Sequence, residues 1–265
     1  MIVDTLHRDL PDVLTKEEID WRETAIGHAI QSACKFLCIS EFVRARFIQH
    51  YRVPMGSTEV STPPLRVQPG NLEGTHSRKL ERPFFFYPAN AWAHKNHLTL
   101  LRAYGLYREL LGSAGWDLVF TGYVKEGPFA NELKKKVQEI NGTMERRVHL
   151  MGHLADAEFV ALFSSAGALV FPSLYEGYGM PVVEAMQLGV PVLCGDVAAL
   201  PEVADKAALF FNPHSASSIA SAMTSISNDR ALQQRLRQAG KDRVGRLSTA
   251  DEKERFLNFI RSIHT

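Results

Sequence analysis

Two glutamates in one short stretch are the residues most able to do chemistry in this chain. The stretch is residues 171–191, FPSLYEGYGMPVVEAMQLGVP, in which seven residues separate Glu176 from Glu184. Gly177 and Gly179 allow a tight turn, and Pro181 suits the first turn of a helix. A strand, a glycine turn and a helix N-terminus together form an anion site. The pattern predicts a ligand with phosphates and hydroxyls, such as a nucleotide sugar.

Each acid in this stretch has a chemical and a structural interpretation. A carboxylate on the first turns of a helix, as at Glu184, can accept hydrogen bonds from two vicinal ribose hydroxyls. The alternative is that Glu184 only complements the helix dipole. Glu176 lies on the turn itself and could reach a sugar hydroxyl. Backbone N–H groups near Gly179 and Met180 would point at the ligand, unless the segment is a plain strand-to-helix turn.

A second polar group is the segment PANAWAHKNH, residues 88–97. Lys95 near a predicted helix start suits a phosphate, because its ammonium and the helix dipole act on the same anion. His94 and His97 could pair on a metal, but a third ligand is missing. A phosphate contact is therefore favoured over a metal site.

Three further positions are weaker candidates. Gly122 ends a predicted strand, where a ligand contact and a simple loop are equally good interpretations. Leu154 follows the next strand, and the backbone there could receive a flat base. His7 lies in TLHRD after a short strand, and a lone histidine is more often structural than catalytic.

The elements that must position these residues alternate between strand and helix. Alternation of this kind predicts a parallel, doubly wound sheet that binds ligands at the carboxyl ends of its strands. Strands are predicted at 36–39, 84–87, 117–121, 148–151, 168–171, 190–194 and 208–210. Helices are predicted at 25–36, from Ser40, and at 96–111, 128–140, 156–165, from Pro181, and at 200–204, 215–243 and 250–263. Residues 53–82 are rich in Pro, Gly, Ser and Thr, which indicates a linker.

Composition limits the partners and the compartment. The chain has 265 residues, and 30 Lys plus Arg against 29 Asp plus Glu give a net charge of +1, so no nucleic-acid partner is expected. Three cysteines indicate buried free thiols in a reducing compartment. No apolar run reaches the roughly 18 residues of a membrane span. We expect a cytoplasmic protein, and leave open a contact with the inner face of the membrane.

Taken together, these stretches resemble the retaining glycosyltransferases of family 4, which have the GT-B fold. The resemblance is carried by PSLYEGYGMPVVEAMQLGVPVLCGD, AALPEVADKAALFFNP, YPANAWAHKNH, CISEFVRARF and TLHRDLP. It implies an α/β chain whose C-terminal Rossmann-like domain has a parallel sheet with helices on both faces, beside an incomplete N-terminal Rossmann-like domain. The expected division is 1–75 for the remnant and linker, 76–245 for donor binding, and 246–265 for a C-terminal helix that packs back toward the remnant.

The resemblance also implies a role for each matching residue. Glu184 would hold the ribose, Glu176 the donor sugar, and Lys95 the diphosphate. His7 would lie near the reacting centre, and with Glu176 is the predicted catalytic pair. The remaining predicted donor contacts are Asn90, Gly122, Leu154, Tyr178, Gly179 and Met180. Many members of the family have an arginine at the position of Asn90, and the family's histidine is commonly followed by aspartate, whereas Arg8 follows here.

The expected function is transfer of a mannose-type or glucose-type hexose, with retention, in polysaccharide or lipopolysaccharide biosynthesis. The donor would be a GDP- or UDP-linked sugar and the acceptor a saccharide or lipid-linked saccharide, with no metal or other cofactor required. Roughly a hundred residues of the N-terminal half would be missing, by usual domain size. Two alternatives stay open: a catalytically incomplete module that binds nucleotide sugars, and another GT-B enzyme such as a sugar-nucleotide epimerase.

Overall fold

The structure is a computed structural model of the chain. It describes residues 1–63, 80–143, 147–247, 256–257 and 259–261.

The N-terminal part, residues 1–63, is a small layer of helices around two short strands. Its elements are α1 (Leu6–Asp9), α2 (Lys16–Ser32), β1 (Phe36–Cys38), α3 (Glu41–Tyr51) and β2 (Thr58–Val60). The strands β1 and β2 pair in parallel, and Ile2 forms a parallel bridge to Cys38. Thr15 and Glu18 form a capping box that starts α2, so this helix begins nine residues before the predicted one. Ser40 caps α3 as predicted, since its side chain accepts from the N–H of Val43.

The sheet part, residues 80–247, alternates strands and helices and ends with two consecutive helices. Its elements are β3 (Phe84–Pro88), α4 (His97–Leu111), β4 (Asp117–Thr121), α5 (Pro128–Thr143), β5 (Val148–Leu150), α6 (Asp156–Ser164), β6 (Ala168–Phe171), α7 (Met180–Gln187), β7 (Val192–Gly195), α8 (Leu200–Ala204), β8 (Ala208–Phe211), α9 (Ala216–Asn228) and α10 (Arg230–Leu247). The predicted α/β fold with a parallel sheet is confirmed.

The six strands of the sheet part form one parallel sheet in the order β5-β4-β3-β6-β7-β8. The chain places β4 and β5 on one side of β3, then returns to add β6, β7 and β8 on the other. The central strands are almost entirely buried and mainly apolar, as expected when helices cover both faces. Loops that leave β3 and β6 therefore diverge at their carboxyl ends, which opens a crevice between these strands.

Some element predictions were wrong. The predicted linker 53–82 contains β2 in its described portion, and the predicted helix 215–243 is two helices. The break falls at Asp229, whose carboxylate accepts from the N–H of Leu232 and so begins α10. Cys34 is exposed, whereas Cys38 and Cys194 are buried as expected, and all three are free thiols.

Other predictions fall on residues outside the description. The boundary expected at 75–76 lies within 64–79, and most of the helix predicted at 250–263 is also outside the described residues. The boundary expected at 245–246 falls inside α10, which continues to Leu247. Among the described helices we find none with both the length and the hydropathy needed to cross a membrane.

Candidate functional site

A cavity of about 390 Å³ opens at the carboxyl ends of the central strands. It lies at the crevice between β3 and β6, where the order of strand addition reverses. Its lining comes from five loops and helix starts: Pro88, Ala89, Asn90, Trp92, Lys95, Thr121, Gly122, His153, Leu154, Asp156, Phe159, Phe171, Pro181 and Glu184. Five of the predicted donor contacts, Asn90, Lys95, Gly122, Leu154 and Glu184, are thus brought together. We call this space the donor cavity, after the predicted contacts that line it.

Lys95 reaches the donor cavity from the loop after β3. It ends a short 3₁₀ turn, Ala93–Lys95, and its backbone carbonyl accepts a hydrogen bond from the buried hydroxyl of Tyr87 at 2.6 Å. The N–H of Leu174, in the turn after β6, donates to the carbonyl of His94 at 2.8 Å. The loops that leave the two central strands are therefore joined beside the lysine.

Asn96 also holds the Lys95 loop in place by hydrogen bonds, a role not expected from the sequence. Its backbone is left-handed, with a φ of 62°, and its side-chain amide donates to the carbonyls of Pro172 at 3.1 Å and Pro213 at 2.8 Å. Asparagine tolerates this conformation better than most residues because its short polar side chain can bond locally. The Asn96 backbone thereby directs Lys95 toward the cavity and begins α4.

Glu176 meets Lys95 at the edge of the donor cavity. The ammonium Nζ of Lys95 lies 2.5 Å from Oε1 of Glu176, and the side chains are 15% and 11% exposed. The same ammonium lies 5.8 Å from the centre of the Phe171 ring. Sequence alone suggested both residues as ligand contacts but did not predict that they pair with each other. An anion that entered beside Lys95 would compete with this carboxylate.

The start of α7 has the backbone form that the glycine pattern predicted. Gly179 precedes the helix with a φ of 95°, and a methyl group there would come within 2.6 Å of Leu200 Cδ2. Only glycine meets both demands without strain. Met180 is the first residue of α7, while the Tyr178 side chain is buried in the core. Tyr178 can therefore offer a ligand its backbone rather than its ring.

The loops after β3 and β4 approach each other closely beside the cavity. Gly122 has a φ of 118°, and a methyl group there would come within 2.6 Å of the Ala89 carbonyl oxygen. The side-chain oxygen of Asn90 accepts a hydrogen bond from the N–H of Tyr123 at 2.8 Å. Asn90 thus joins these two loops in addition to lining the donor cavity.

A second cavity, of about 510 Å³, adjoins the first and shares Trp92 and Lys95 with it. Glu176 faces this second space, and the N-terminal part supplies the opposite wall. Asp4 and Arg22 on that wall form an ion pair, with 2.7 Å between Nη1 and Oδ1. We call this space the interdomain cavity. The Lys95–Glu176 pair therefore lies where the two cavities meet.

The structure gives His7 a different setting from the one predicted for it. The side chain is buried on α1, its Nε2 lies 2.7 Å from the Tyr51 hydroxyl and 3.4 Å from Glu23, and it lines neither cavity. Burial lowers its pKa, although Glu23 acts in the opposite direction. A neutral histidine held inside the N-terminal part is not brought to Lys95 and Glu176.

His94 and His97 are the two histidines considered above as a metal pair. His97 is buried with its ring 4.8 Å from that of Tyr87 and 5.5 Å from that of Phe120. Burial lowers the pKa of both His94 and His97 to about 4, and the positive charge of Lys95 adds to the effect. In the part of the chain that the structure describes, no three His, Cys, Asp or Glu side chains cluster as metal ligands would.

Sequence reasoning also missed the contacts that tie the N-terminal part to the Glu176 turn. The Ser40 hydroxyl donates to the carbonyl of Gly177 at 2.7 Å, and the Glu202 carboxylate accepts from the N–H groups of Glu41 and Phe42 at 2.9 Å. A methyl group on Gly177 would overlap the carbonyl oxygen of Val3. These partners are more than a hundred residues apart in the chain, so no local pattern could have indicated them.

Curated proteins similar to this chain are sugar transferases. The chain is 28% identical to O-antigen chain mannosyltransferase B of Escherichia coli over 218 residues, which are 79% of this chain and 55% of that protein. It is 28% identical to O-antigen chain mannosyltransferase RfbU of Salmonella typhimurium over 149 residues, 56% of this chain and 40% of that protein. The chain thus spans about half, or less, of the length of these relatives.

Solved glycosyltransferase structures of the GT-B class share the fold. Sucrose-phosphate synthase from Thermosynechococcus elongatus superposes with a TM-score of 0.76 at 21% identity, over 98% of this chain and 65% of that one. HepE of Anabaena, in complex with UDP and glucose, gives 0.75 at 16% identity, over 95% of this chain and 69% of that one. The family model described as glycosyl transferases group 1 matches residues 72–243. The chain therefore belongs to the glycosyl transferases group 1 family.

Proposed function

We propose that this chain holds the donor site of a retaining glycosyltransferase of the family 4 type, which transfers a hexose from a nucleotide sugar to a growing polysaccharide. The observation that carries the proposal is the Lys95–Glu176 pair at the junction of two cavities. One cavity ends at Glu184 and the start of α7, and the other is closed by the N-terminal part.

The donor cavity would take the nucleoside diphosphate. Glu184 lines its wall on α7 and would accept hydrogen bonds from the two ribose hydroxyls. The backbone of Leu154 and the neighbouring loop would receive the base. Lys95 and the start of α7 near Gly179 would face the diphosphate, because both present positive charge to the same anion.

Bond breaking would place new negative charge on the departing diphosphate. The bond between the anomeric carbon and the phosphate oxygen breaks, and its electron pair moves to that oxygen. Lys95 is held before the donor arrives, so its stabilisation of this charge needs little reorganisation. The acceptor hydroxyl then bonds to the anomeric carbon on the face from which the diphosphate departs and gives its proton to the departing phosphate oxygen, so the configuration is retained.

The interdomain cavity would hold the sugar and the acceptor hydroxyl. Glu176 faces this space and would accept a hydrogen bond from a hydroxyl of the donor sugar. Mannose is the hexose that we favour, because the similar O-antigen proteins are named mannosyltransferases. A GDP-linked donor and a UDP-linked donor are both consistent with the cavity.

Calorimetric titration with GDP, UDP, their mannose and glucose conjugates, and the bare nucleosides tests the donor site. Glu184→Ala should cost about 2 kcal/mol, or roughly thirty-fold in affinity, because charge-assisted hydrogen bonds are lost. Lys95→Ala should weaken diphosphates at least tenfold more than nucleosides. Glu132→Ala and Lys206→Ala, at exposed positions outside both cavities, are the matched controls.

Two results would contradict the donor-site assignment. One is full affinity of Glu184→Ala, and the other is an equal loss for nucleoside and diphosphate with Lys95→Ala. A second candidate function is binding without transfer, because His7, the predicted catalytic partner of Glu176, lines neither cavity. Release of free nucleoside diphosphate with a mannan or glucan acceptor distinguishes the two, since a binding module releases none.

A further inference from the structure

The hydroxyl of Tyr175 connects the Glu176 turn to the N-terminal part. The side chain is buried, with 6% of its surface exposed. Its oxygen accepts from the backbone N–H of Thr5 at 3.0 Å, lies 3.0 Å from the Thr5 hydroxyl, and donates to Asp9 Oδ2 at 3.1 Å. The ring also packs edge-on against Phe42, with 5.7 Å between ring centres.

Asp9 is the centre of this connection. Its carboxylate accepts from the Thr5 hydroxyl at 2.6 Å, pairs with Arg46, and lies 2.8 Å from Nε2 of His50. Burial acts to raise the pKa of Asp9, but the hydrogen bonds from Arg46, Thr5, His50 and Tyr175 outweigh it and lower that pKa. An ionised carboxylate with several donors makes strong, directional contacts. Arg46 and His50 lie on α3, so the turn is fixed to a helix as well as to α1.

Glu176 lies between two anchors that both come from the N-terminal part. On one side is Tyr175, bound to Thr5 and Asp9. On the other is Gly177, whose carbonyl accepts from Ser40 and whose Cα abuts Val3. With both neighbours fixed, the Glu176 backbone has little freedom, and its carboxylate is held at Lys95. By contrast, the Lys95 loop is joined to Tyr87 and Pro213 of the sheet part.

We propose that Tyr175, bound to Thr5 and Asp9, is a positioning residue that sets Glu176 against the donor sugar, so that the N-terminal part governs recognition of the sugar but not of the diphosphate. The proposal deepens the proposed function and rests on it, because it requires that Glu176 contact the sugar. It assigns Tyr175 no contact with the reacting atoms, since its hydroxyl is engaged by Thr5 and Asp9.

The test compares affinities for a nucleoside diphosphate and its sugar conjugate. Tyr175→Phe should lower affinity for GDP-mannose or UDP-glucose about fivefold and leave GDP or UDP within about twofold, by calorimetry on the full chain. A fivefold change corresponds to about 1 kcal/mol, the usual net worth of a buried hydrogen bond. Valine has nearly the same shape as threonine but lacks the hydroxyl. Thr5→Val should therefore also lower the ratio of conjugate affinity to diphosphate affinity.

Two reference variants make the outcome decisive. Tyr51→Phe is the matched control, because that hydroxyl bonds to His7 at 2.7 Å within the N-terminal part and not to the turn. It should leave the ratio of affinities unchanged. Glu176→Gln should lower the ratio of conjugate affinity to diphosphate affinity. For both ligands alike it removes the carboxylate that competes for Lys95, so the ratio tests the underlying sugar contact separately.

The results separate the two proposals. If Glu176→Gln changes the ratio but Tyr175→Phe and Thr5→Val do not, the positioning role is wrong and the donor site stands. An equal loss for diphosphate and conjugate in Tyr175→Phe would indicate a merely structural role and also overturn it. If Glu176→Gln leaves the ratio unchanged, or if neither GDP nor UDP binds the parent chain, the sugar contact and the positioning role both fall.

Discussion

The loop that carries Lys95 and the turn that carries Glu176 are held in different ways. The Lys95 loop is secured by Tyr87 and by Asn96, which bonds to Pro172 and Pro213, and all of these belong to the sheet part. The Glu176 turn is secured in addition by Ser40, Thr5 and Asp9 of the N-terminal part. One ion pair thus joins a side chain fixed inside one part to a side chain fixed by the other.

Because of this difference, the two parts would contribute separately to the binding of a nucleotide sugar. The diphosphate side of the proposed site is complete once the six-stranded sheet has folded, because its supports lie close to β3 and β6. The sugar side requires that the N-terminal part pack against the turn. Recognition of the phosphates and recognition of the sugar should therefore respond separately to mutation.

The largest effect is expected at Gly177. In Gly177→Ala the new methyl group overlaps the Val3 carbonyl oxygen. A backbone atom cannot move away without also moving the residues bonded to it. We expect a loss of about 2 kcal/mol or more in the free energy of unfolding, as for other overpacked sites. Affinity for the sugar conjugate should fall more than affinity for the diphosphate. Chemical denaturation and calorimetry measure the two effects.

Gly105→Ala is the matched control for that substitution. Gly105 lies inside α4 and has open space around its Cα, so the change should stabilise the protein by about 0.5 to 1 kcal/mol through helix propensity. If Gly177→Ala is as stable as the parent and binds both ligands normally, the contact with Val3 does not restrain the turn, and the two sides of the site are not held differently.

A smaller loss is expected at Asn96, on the diphosphate side. Asn96→Gly keeps the left-handed backbone without strain but removes two hydrogen bonds to carbonyl groups, which should cost about 1 kcal/mol in the free energy of unfolding. Because Lys95 loses its support, affinities for the diphosphate and its sugar conjugate should fall by the same factor. That equal loss is the opposite of the pattern expected at Gly177.

Arg52→Gly is the control for backbone effects at Asn96. Arg52 is exposed and also left-handed, with a φ of 53°, so glycine there relieves strain and breaks no buried contact. Its affinities should equal those of the parent. If Asn96→Gly loses affinity for the sugar conjugate but not for the diphosphate, the Lys95 loop supports the sugar side, and the two sides of the site do not respond separately.

The smallest effect concerns pH and the buried His97. In the unfolded chain its pKa is near 6.5, and burial in the folded protein lowers it to about 4. The unfolded state therefore takes up the proton first, and stability falls as pH drops from about 6.5 toward 4. Between pH 7.5 and 5.5 the loss from this residue should be about 1 kcal/mol, measured by urea denaturation at each pH.

His97→Phe keeps a ring and removes the titration, so its stability should change less over that pH range. His94 carries a similar shift, and a part of the slope should therefore remain. His28→Gln, at an exposed position on α2, should keep the full slope of the parent. An identical slope in the parent and in His97→Phe would mean that this histidine is not buried in its neutral form beneath the Lys95 loop.

Sequence prediction succeeded best where structure is set locally. The strands at Asp117–Thr121 and Ala168–Phe171 have their predicted bounds, because each is an apolar run that ends at glycine or proline. The turn at Gly179 was predicted from its glycine and proline. Prediction failed for β2, because three residues, Thr58–Val60, carry no periodicity and become a strand only by pairing with β1.

Local backbone preference and side-chain chemistry were enough to predict the parallel α/β sheet, the glycine turn before α7, and Lys95, Glu176 and Glu184 as candidate ligands. The three-dimensional packing was needed to show that Lys95 pairs with Glu176. It also showed that Asn96 supports the Lys95 loop and that Tyr175 ties the Glu176 turn to Asp9. Tyr175 and Asp9 are separated by 166 positions. Contacts over such distances depend on how the layers pack, which no short pattern of residues encodes.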